Sequence, residues 1–566
     1  MVSPALDDAP LAQLEVLIVD CQTTGASPTQ GSVLELGWCV ASVNQPELEL
    51  AAEAYWITPR PGERISAQVR QLTGFHDDFL GSALAPEAAW QRLRSLGSGA
   101  PMPAAIHFAR FELSFLRDWS ERFEPDAPFP FDAVCVHAIA CRLYPDLPRR
   151  NLRALAGFLG YSLHLERRSL GHVQATAFIW RKLAQELGAR GVNTWSELTR
   201  WLADAERPAK PRQRRYPLPP ASYRVLPDAP GVYRFLRSNG DVLYVGKATS
   251  LKKRVSSHFT KQSGATERAL EMLTQVGEIS FTATSSALEA ALLETQTIKS
   301  LNPPYNVQLV QGQRGVWFAT PDFRDAVATP DAAHRFGPLS SRYSVRPLGA
   351  LIELLTGAPA SASLRANAVG APLRWAPDEA SFAEGWQLFA ARHLSIAAPV
   401  SPQKRALRIA RSLLSSAAEP GATNDEAGAA TDDDAPKVWD PPRVCRHLER
   451  ASGQAYQVLR RAAWLCLLAN SNVSYREPGA PTARYLVITN AELSEAGDAA
   501  LLTGLSAPAG SRAQAQSVFD AARYDSLRIL TTELKRILRD GGDVKVRLSR
   551  SRLFEGQRLA QLLRLV

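Results

Sequence analysis

The chain is 566 residues long, beyond what one hydrophobic core ordinarily supports, so division into two to four domains is expected. Hydrophobic residues make up 45% of it and the mean hydropathy is -0.16, which excludes wholesale disorder and leaves apolar side chains for several cores. The 65 Lys and Arg against 56 Asp and Glu give a net charge of +9 and a pI near 9.3, a balance that favours phosphate-bearing partners over acidic or neutral small molecules.

The first twenty residues, MVSPALDDAPLAQLEVLIVD, are acidic and lack a long apolar run followed by a small-residue cleavage site, so secretion is not expected. No segment offers the roughly eighteen uninterrupted apolar residues of a spanning helix, so no membrane anchor is read. Six cysteines, Cys21, Cys39, Cys135, Cys141, Cys445 and Cys466, show no Cys-x-x-Cys spacing and fit free thiols in a reducing cytoplasm.

Residues 1–206 alternate strand-like runs such as Val16–Val19 with helical stretches such as Asn151–Leu159, a pattern of α/β structure. Three stretches carry a resemblance: Val16 to Gly25 (VLIVDCQTTG), Ile106 to Glu112 (IHFARFE) and Arg167 to Ala177 (RRSLGHVQATA). Together they resemble the DnaQ-like exonucleases, which implies an RNase H-like fold whose site holds two metals on carboxylates beside a histidine base. Asp20 stands where the family has its first aspartate. The partner glutamate is Gln22, the second-motif aspartate is Glu112, the histidine base is Arg167 and the third aspartate is His172. An amide and an imidazole in place of two carboxylates remove two negative charges from a site that must hold two divalent cations. A degenerate exonuclease domain kept for binding or scaffolding is the expectation; weakened activity with Asp20, Glu112 and His172 as ligands is the alternative.

Residues 207–220 are basic and proline-rich (RPAKPRQRRYPLPP) and read as a stiff linker. Then follows PGVYRFLRSNGDVLYVGKATSLKKRVSSHF, residues 230–259, two β-rich runs around the turn signal Ser238–Asp241. Tyr233 and Tyr244 lie on paired strands, where cross-strand packing alone would explain them. After the second strand come Gly246-Lys247, Ser250 as an N-cap and the run Lys252-Lys253-Arg254 opening a helix, whose cations would face a phosphate. Ser286-Ala-Leu-Glu289 reads as a capping box for a helix with the stripe Leu288, Ala291, Leu292, Thr295 and Ile298, and Glu294 at its border. The helix is expected to end before Asn302-Pro303-Pro304-Tyr305-Asn306.

Gly231-Val232-Tyr233, Tyr244-Val245-Gly246, the run Lys247–Arg254, the stretch Glu289–Glu294 and the closing Ile298-Lys299 with Pro304-Tyr305-Asn306 resemble the GIY-YIG nucleases of the excinuclease C and Cho type, in family order and spacing. The resemblance implies an endonuclease domain at 221–310 with catalytic residues Tyr233, Tyr244, Lys247, Arg254, His258, Glu294 and Asn306. A single Mg2+, or Mn2+, would be held by Glu294 and waters. Arg254 would grip the scissile phosphate, with Lys252 and Lys253 as further DNA contacts, and Tyr244, helped by Lys247, would take the proton of the attacking water. Tyrosine has an unperturbed pKa near 10, so that role needs cations to favour the phenolate. His258 replaces the usual tyrosine of the Ser-Ser-Tyr-Phe run, and whether Tyr244 or His258 is the base stays open.

Arg335–Ser341 (RFGPLSS) and the helix after it also resemble the segment following the nuclease domain in those proteins, so 311–414 reads as an extension; the resemblance ends near residue 356. Neither a helicase-binding motif nor a second nuclease domain is seen, which points to the Cho-type single-incision enzymes. Residues 415–437, small, polar and acidic, read as a disordered linker. Residues 438–566 read as α+β: a helical pattern through Arg443–Arg461, strands at Ala463–Leu468, Arg484–Ile488 and Val544–Leu548, and a short closing helix. They carry no catalytic constellation, and Arg547, Arg550 and Arg552 read as a DNA contact or a solvated basic surface.

The expectation is thus an α/β multidomain protein: an RNase H-like exonuclease fold, a small α+β GIY-YIG domain and an α+β C-terminal domain. Its expected function is single-strand incision of DNA in nucleotide excision repair, in the cytoplasm, within the SOS response and together with other excision-repair proteins. A non-catalytic DNA-binding scaffold and a structure-specific recombination nuclease are the competing readings.

Overall fold

The computed structural model describes residues 9–44, 50–97, 101–162, 167–204, 215–260, 265–306, 315–394, 400–416, 439–496, 516–549, 552–564 and 566. By contacts the chain divides into two compact units, the first running to Ser285 and including Pro303–Asn306, the second comprising Ser286–Asn302 and Val307–Val566. Most of the expected linkers at 207–220 and 415–437 lie outside the described residues. Among those residues no helix is long and apolar enough to cross a membrane.

The first unit opens with β1 (Val16–Thr23), β2 (Val33–Ala41) and β3 (Ala52–Trp56), then α1 (Ala67–Thr73), α2 (Pro86–Arg94), β4 (Met102–Ile106) and α3 (Ala109–Phe123). β5 (Phe131–Cys135), α4 (Val136–Leu143), α5 (Leu152–Phe158), α6 (Ser169–Gly188) and α7 (Trp195–Ala203) follow. The sheet order is β3-β2-β1-β4-β5, antiparallel across the first three strands and parallel from β1 to β4 to β5, which is the RNase H-like arrangement expected. Strand β1 needs its unbroken apolar run because both faces are covered. Val16 and Ile18 enter the core with Val173 and Trp180 of α6, while Leu17 and Val19 enter the opposite one with Leu116 and Trp90. Gly37 lets α6 start hard against β2, since a Cβ there would lie 2.9 Å from that of Ser169.

Next come α8 (Pro220–Arg224), β6 (Gly231–Leu236), β7 (Val242–Ala248), α9 (Leu251–Thr260), α10 (Glu267–Thr274) and β8 (Glu278–Ala283), an antiparallel sheet ordered β7-β6-β8. The expected hairpin is present, with Gly240 at φ 89° in its turn, a left-handed conformation that glycine adopts without strain. Helix α10 and the hairpin turn of this sheet pack directly on the exonuclease fold. Asn151 donates to Glu271 at 2.6 Å, the Arg149 N–H donates to Thr274 Oγ1 at 3.2 Å, and Arg237 reaches Gln275 at 3.1 Å and Ser162 at 3.2 Å. Gly157 has no room for a side chain, because Gln275 Oε1 sits 2.0 Å from where its Cβ would be.

The second unit holds α11 (Ala287–Leu301), β9 (Trp317–Ala319), β10 (Ala326–Val327), β11 (Phe336–Leu339), α12 (Arg346–Leu355), α13 (Ala362–Val369), α14 (Glu379–His393) and α15 (Pro402–Ser416). α16 (Pro441–Leu468), β12 (Ser471–Arg476), β13 (Arg484–Thr489), β14 (Glu492–Ala496), α17 (Ala521–Arg539), β15 (Asp543–Ser549), β16 (Arg552–Glu555) and α18 (Gly556–Arg564) complete it. Its larger sheet, β14-β13-β12-β15-β16, is antiparallel throughout.

Three expectations need revision. The run Ala463–Leu468 is the end of α16 and not a strand: its Trp464, Leu465 and Leu468 complete the buried face of a helix, and a short apolar run cannot by itself be told from one. Residues 438–566 do not stand apart from 311–414 either. The first half of α16 (Val444, Cys445, Leu448) shares a core with Phe382, Phe389 and Ile409, and its last turns share another with Leu530 and Val546. The acidic break also starts later than read, since α15 runs through Ser416.

Candidate active site

On the hairpin, Tyr233 pairs in register with Gly246, and Phe235 with Tyr244, so the two tyrosines occupy the same face two residues out of step. Tyr233 is fully buried and Tyr244 half-buried, their ring centroids 6.1 Å apart. Gly246 makes that closeness possible: a Cβ there would sit 2.6 Å from Tyr233 Cζ and Oη and 2.8 Å from Tyr244 Cε1.

Helix α9 lies against this face because Leu251, Val255 and Phe259, four residues apart, form its buried stripe in the same core as Tyr233 and Phe235. One position before Phe259, His258 comes half-buried to the edge of that core. Its Nε2 is 2.8 Å from Tyr233 Oη, and its ring is 6.3 Å from that of Tyr244. Ser250 caps the helix by accepting the Lys253 N–H at 3.2 Å, as expected. Lys247, Lys252, Lys253 and Arg254 are exposed, with Lys253 3.6 Å from Asp228.

Asn306 uses both ends of its amide on the β7 backbone, Oδ1 accepting the Val245 N–H and Nδ2 donating to the Val245 carbonyl, each at 2.9 Å. These bonds tie it to the strand that carries Tyr244. Beside it the Tyr305 hydroxyl donates to Glu271 and accepts from Gln275, both at 2.6 Å. Burial first, and then the Glu271 charge, push that phenol up, which leaves Tyr305 unsuited to proton removal. Gln275, buried between Arg237 and Tyr305, was missed from sequence because nothing in a lone glutamine after a helix marks it.

Glu294 is on α11, half-buried at the border of a stripe in which Leu288, Ala291, Thr295 and Ile298 are buried. Ser286 accepts the Glu289 N–H at 3.1 Å, the serine half of the expected capping box, and the helix ends at Leu301 before Asn302 turns left-handed. One carboxylate, shielded yet open to water, fits a magnesium ion that keeps most of its hydration shell.

In the exonuclease fold, Asp20 on β1, Glu112 on α3 and His172 on α6 come together. His172 Nδ1 is 3.2 Å from both Asp20 oxygens and 3.3 Å from Gln22 Nε2. Glu112 turns inward, one oxygen accepting the Cys21 N–H at 2.8 Å, and burial together with the Asp20 charge pushes its carboxyl well above the usual range. His107 is buried nearby with neither ring nitrogen bonded, and Arg167 is exposed. Among the described residues no group of three or more His, Cys, Asp or Glu is placed to hold a metal.

Against known families, residues 229–307 match the UvrC-like GIY-YIG domain. This segment is a GIY-YIG domain of the UvrC type. UvrABC system protein C of Nitrosomonas europaea is 55% identical over 82 residues, 14% of this chain and 13% of that protein. A Mycobacterium tuberculosis protein, named as a candidate bifunctional exonuclease/endonuclease, is 26% identical over 366 residues, 62% of this chain and 54% of its own. The chain thus spans about half the length of that relative and a far smaller share of the UvrABC proteins. Among solved structures, the magnesium-bound GIY-YIG domain of Thermotoga maritima UvrC is 32% identical, covering 15% of this chain and 93% of its own at a TM-score of 0.14. Escherichia coli exonuclease I with a dT13 oligonucleotide is 15% identical, covering 39% and 48%, at a TM-score of 0.28.

Within the GIY-YIG domain, one buried cluster unites Tyr233, Tyr244 and His258, and Lys247, Lys252, Lys253 and Arg254 occupy the solvent side of the same elements. Glu294 belongs to the second unit by its contacts. Of the C-terminal arginines, Arg547 is half-buried on β15, Arg552 is exposed, and Arg550 lies outside the described residues.

Proposed function

We propose that the chain is a metal-dependent DNA endonuclease that hydrolyses one phosphodiester bond, making a single-strand incision in nucleotide excision repair alongside other excision-repair proteins. The observation that carries this reading is the Tyr233–His258 pair at 2.8 Å beside the half-buried Tyr244, next to a row of exposed cations.

Each residue has work that suits its chemistry. Arg254 binds the phosphate with a planar fork matched to two oxygens. Tyr244 takes the proton from the attacking water, with Lys247 further along the same strand favouring the phenolate. His258, engaged by the Tyr233 hydroxyl, orients that tyrosine in the cluster and can accept its proton. Asn306 keeps β7 in place beneath them. Glu294, with waters, would hold a magnesium ion, which would supply charge stabilisation for the leaving oxygen.

The test is nicking of plasmid and of a lesion-bearing duplex by the full chain with Mg2+ or Mn2+, beside Glu294→Ala and Tyr244→Phe. Loss of nicking in both variants with folding intact is the expected result; a general base of this kind is worth roughly a hundredfold to ten-thousandfold. Unchanged cutting by Tyr244→Phe would transfer the base role to His258, and unchanged cutting by Glu294→Ala would sink the metal assignment.

A further inference from the structure

Residues 439–566 carry no catalytic pattern, yet within the second unit they hold the helix that bears Glu294. The N-terminus of α11 leaves N–H groups without helical partners, and these need an acceptor. Glu477, just after β12, provides one: its Oε1 accepts the N–H of Ala287 at 3.2 Å and of Leu288 at 3.4 Å. A carboxylate there also suits the positive end of the helix dipole. Arg536 of α17 holds Glu477 in turn at 3.0 Å, and the cap residue Ser286 is bonded to Tyr475 at 3.2 Å.

The other end is held as firmly. Lys299 forms an ion pair of 2.7 Å with Asp525, which is 5% exposed, and donates to the Ala521 carbonyl at 3.0 Å. Between these ends Leu288 is part of the C-terminal core with Tyr475, Leu486 and Leu530, and Leu292 packs against it. Glu294 lies between the two anchors on one rigid helix, so its place is set by residues some two hundred positions further along the chain.

We propose that the C-terminal fold is a positioning element of the nuclease, in which Glu477, Tyr475 and Asp525 set the placement of α11 and hence of the Glu294 carboxylate. This rests on the endonuclease reading above, with Glu294 as the metal-holding group. A shift of about 1 Å in a reacting group can cost about a hundredfold in rate, so loosening either anchor weakens metal use without touching the hairpin tyrosines.

The experiment uses the full chain with Asp525→Asn, Glu477→Gln and the milder Tyr475→Phe, with Asp525→Glu as the conservative variant. Nicking is followed against Mg2+ concentration, Mn2+ binding is measured by electron paramagnetic resonance without DNA, and duplex affinity is measured without divalent metal. The expected result is a tenfold or greater rise in the Mg2+ needed for half-maximal rate, weaker Mn2+ binding, unchanged duplex affinity and recovery in Asp525→Glu. Wild-type metal dependence in Tyr475→Phe together with either anchor variant overturns the proposal. A wild-type chain that neither nicks nor loses Mn2+ binding on Glu294→Ala would instead overturn the endonuclease reading. Should Asp525→Asn not fold, Tyr475→Phe, which removes only a hydroxyl, decides the matter.

Discussion

Replacing Gly246 by alanine separates the shape of the tyrosine cluster from the stability of the hairpin. The new methyl would lie 2.6 Å from Tyr233 Cζ and 2.8 Å from Tyr244 Cε1, whereas carbon atoms rest at about 3.5–4.0 Å. Each ring must therefore retreat by about 1 Å. Tyr233 has nowhere to go, being fully buried against Phe235 and Val255, so the overpacking costs about 1–3 kcal/mol and several degrees of melting temperature. A displacement of that size in the reacting groups lowers nicking by about a hundredfold. Gly240→Ala is the control. Its φ of 89° makes alanine cost about 1–2 kcal/mol, but its Cβ meets nothing within 4 Å and no tyrosine moves. Melting curves and initial nicking rates on plasmid, measured for both variants, should show similar destabilisation and a large loss of rate in Gly246→Ala alone. Equal rates in the two variants would refute the reasoning.

Asn306→Ala removes both bonds to Val245, and the lost pairing should cost about 1–3 kcal/mol in thermal unfolding, with slower nicking because β7 carries Tyr244; an unaltered melting curve would deny Asn306 its tethering role. His107 is held down from 6.5 to about 3 by burial, so the folded ring stays neutral while the unfolded one takes up a proton. Stability is then complete above pH 6.5 and falls as pH drops toward 3, by at most about 4–5 kcal/mol. His107→Phe should flatten denaturant midpoints across that window, and an unchanged slope would reject the assignment. In the exonuclease fold, with Glu112 turned inward and Gln22 and His172 in place of carboxylates, the full chain should release no nucleotides from labelled single strands with Mn2+; release abolished by Asp20→Ala would show a working site.

Much of the fold up to Pro304 was legible in the sequence because its signals are local. The run VLIVD announces a strand buried on both faces, Ser238–Asp241 a hairpin turn, and Asn302-Pro303-Pro304 the end of a helix. Each depends on residues a few positions apart. The tyrosines, the basic run and the carboxylate at Glu294 could be named only through the resemblance to the GIY-YIG nucleases, since spacing alone leaves the tyrosines as cross-strand packing.

What only the tertiary structure decided are relations between distant residues. Spacing cannot show that His258 bonds Tyr233, that Asn306 spends its amide on the β7 backbone, or that Glu112 turns inward beneath Cys21. Nor does any motif mark Glu477 and Asp525, which are ordinary surface residue types until the fold brings α11 beside them. The mistaken strand at Ala463–Leu468 has the same origin. Six apolar residues satisfy either backbone period, and the choice fell to α16 because a longer helix could seal two cores at once. Local propensity specifies the elements, but which polar group meets which buried partner is set by burial, and burial belongs to the whole fold.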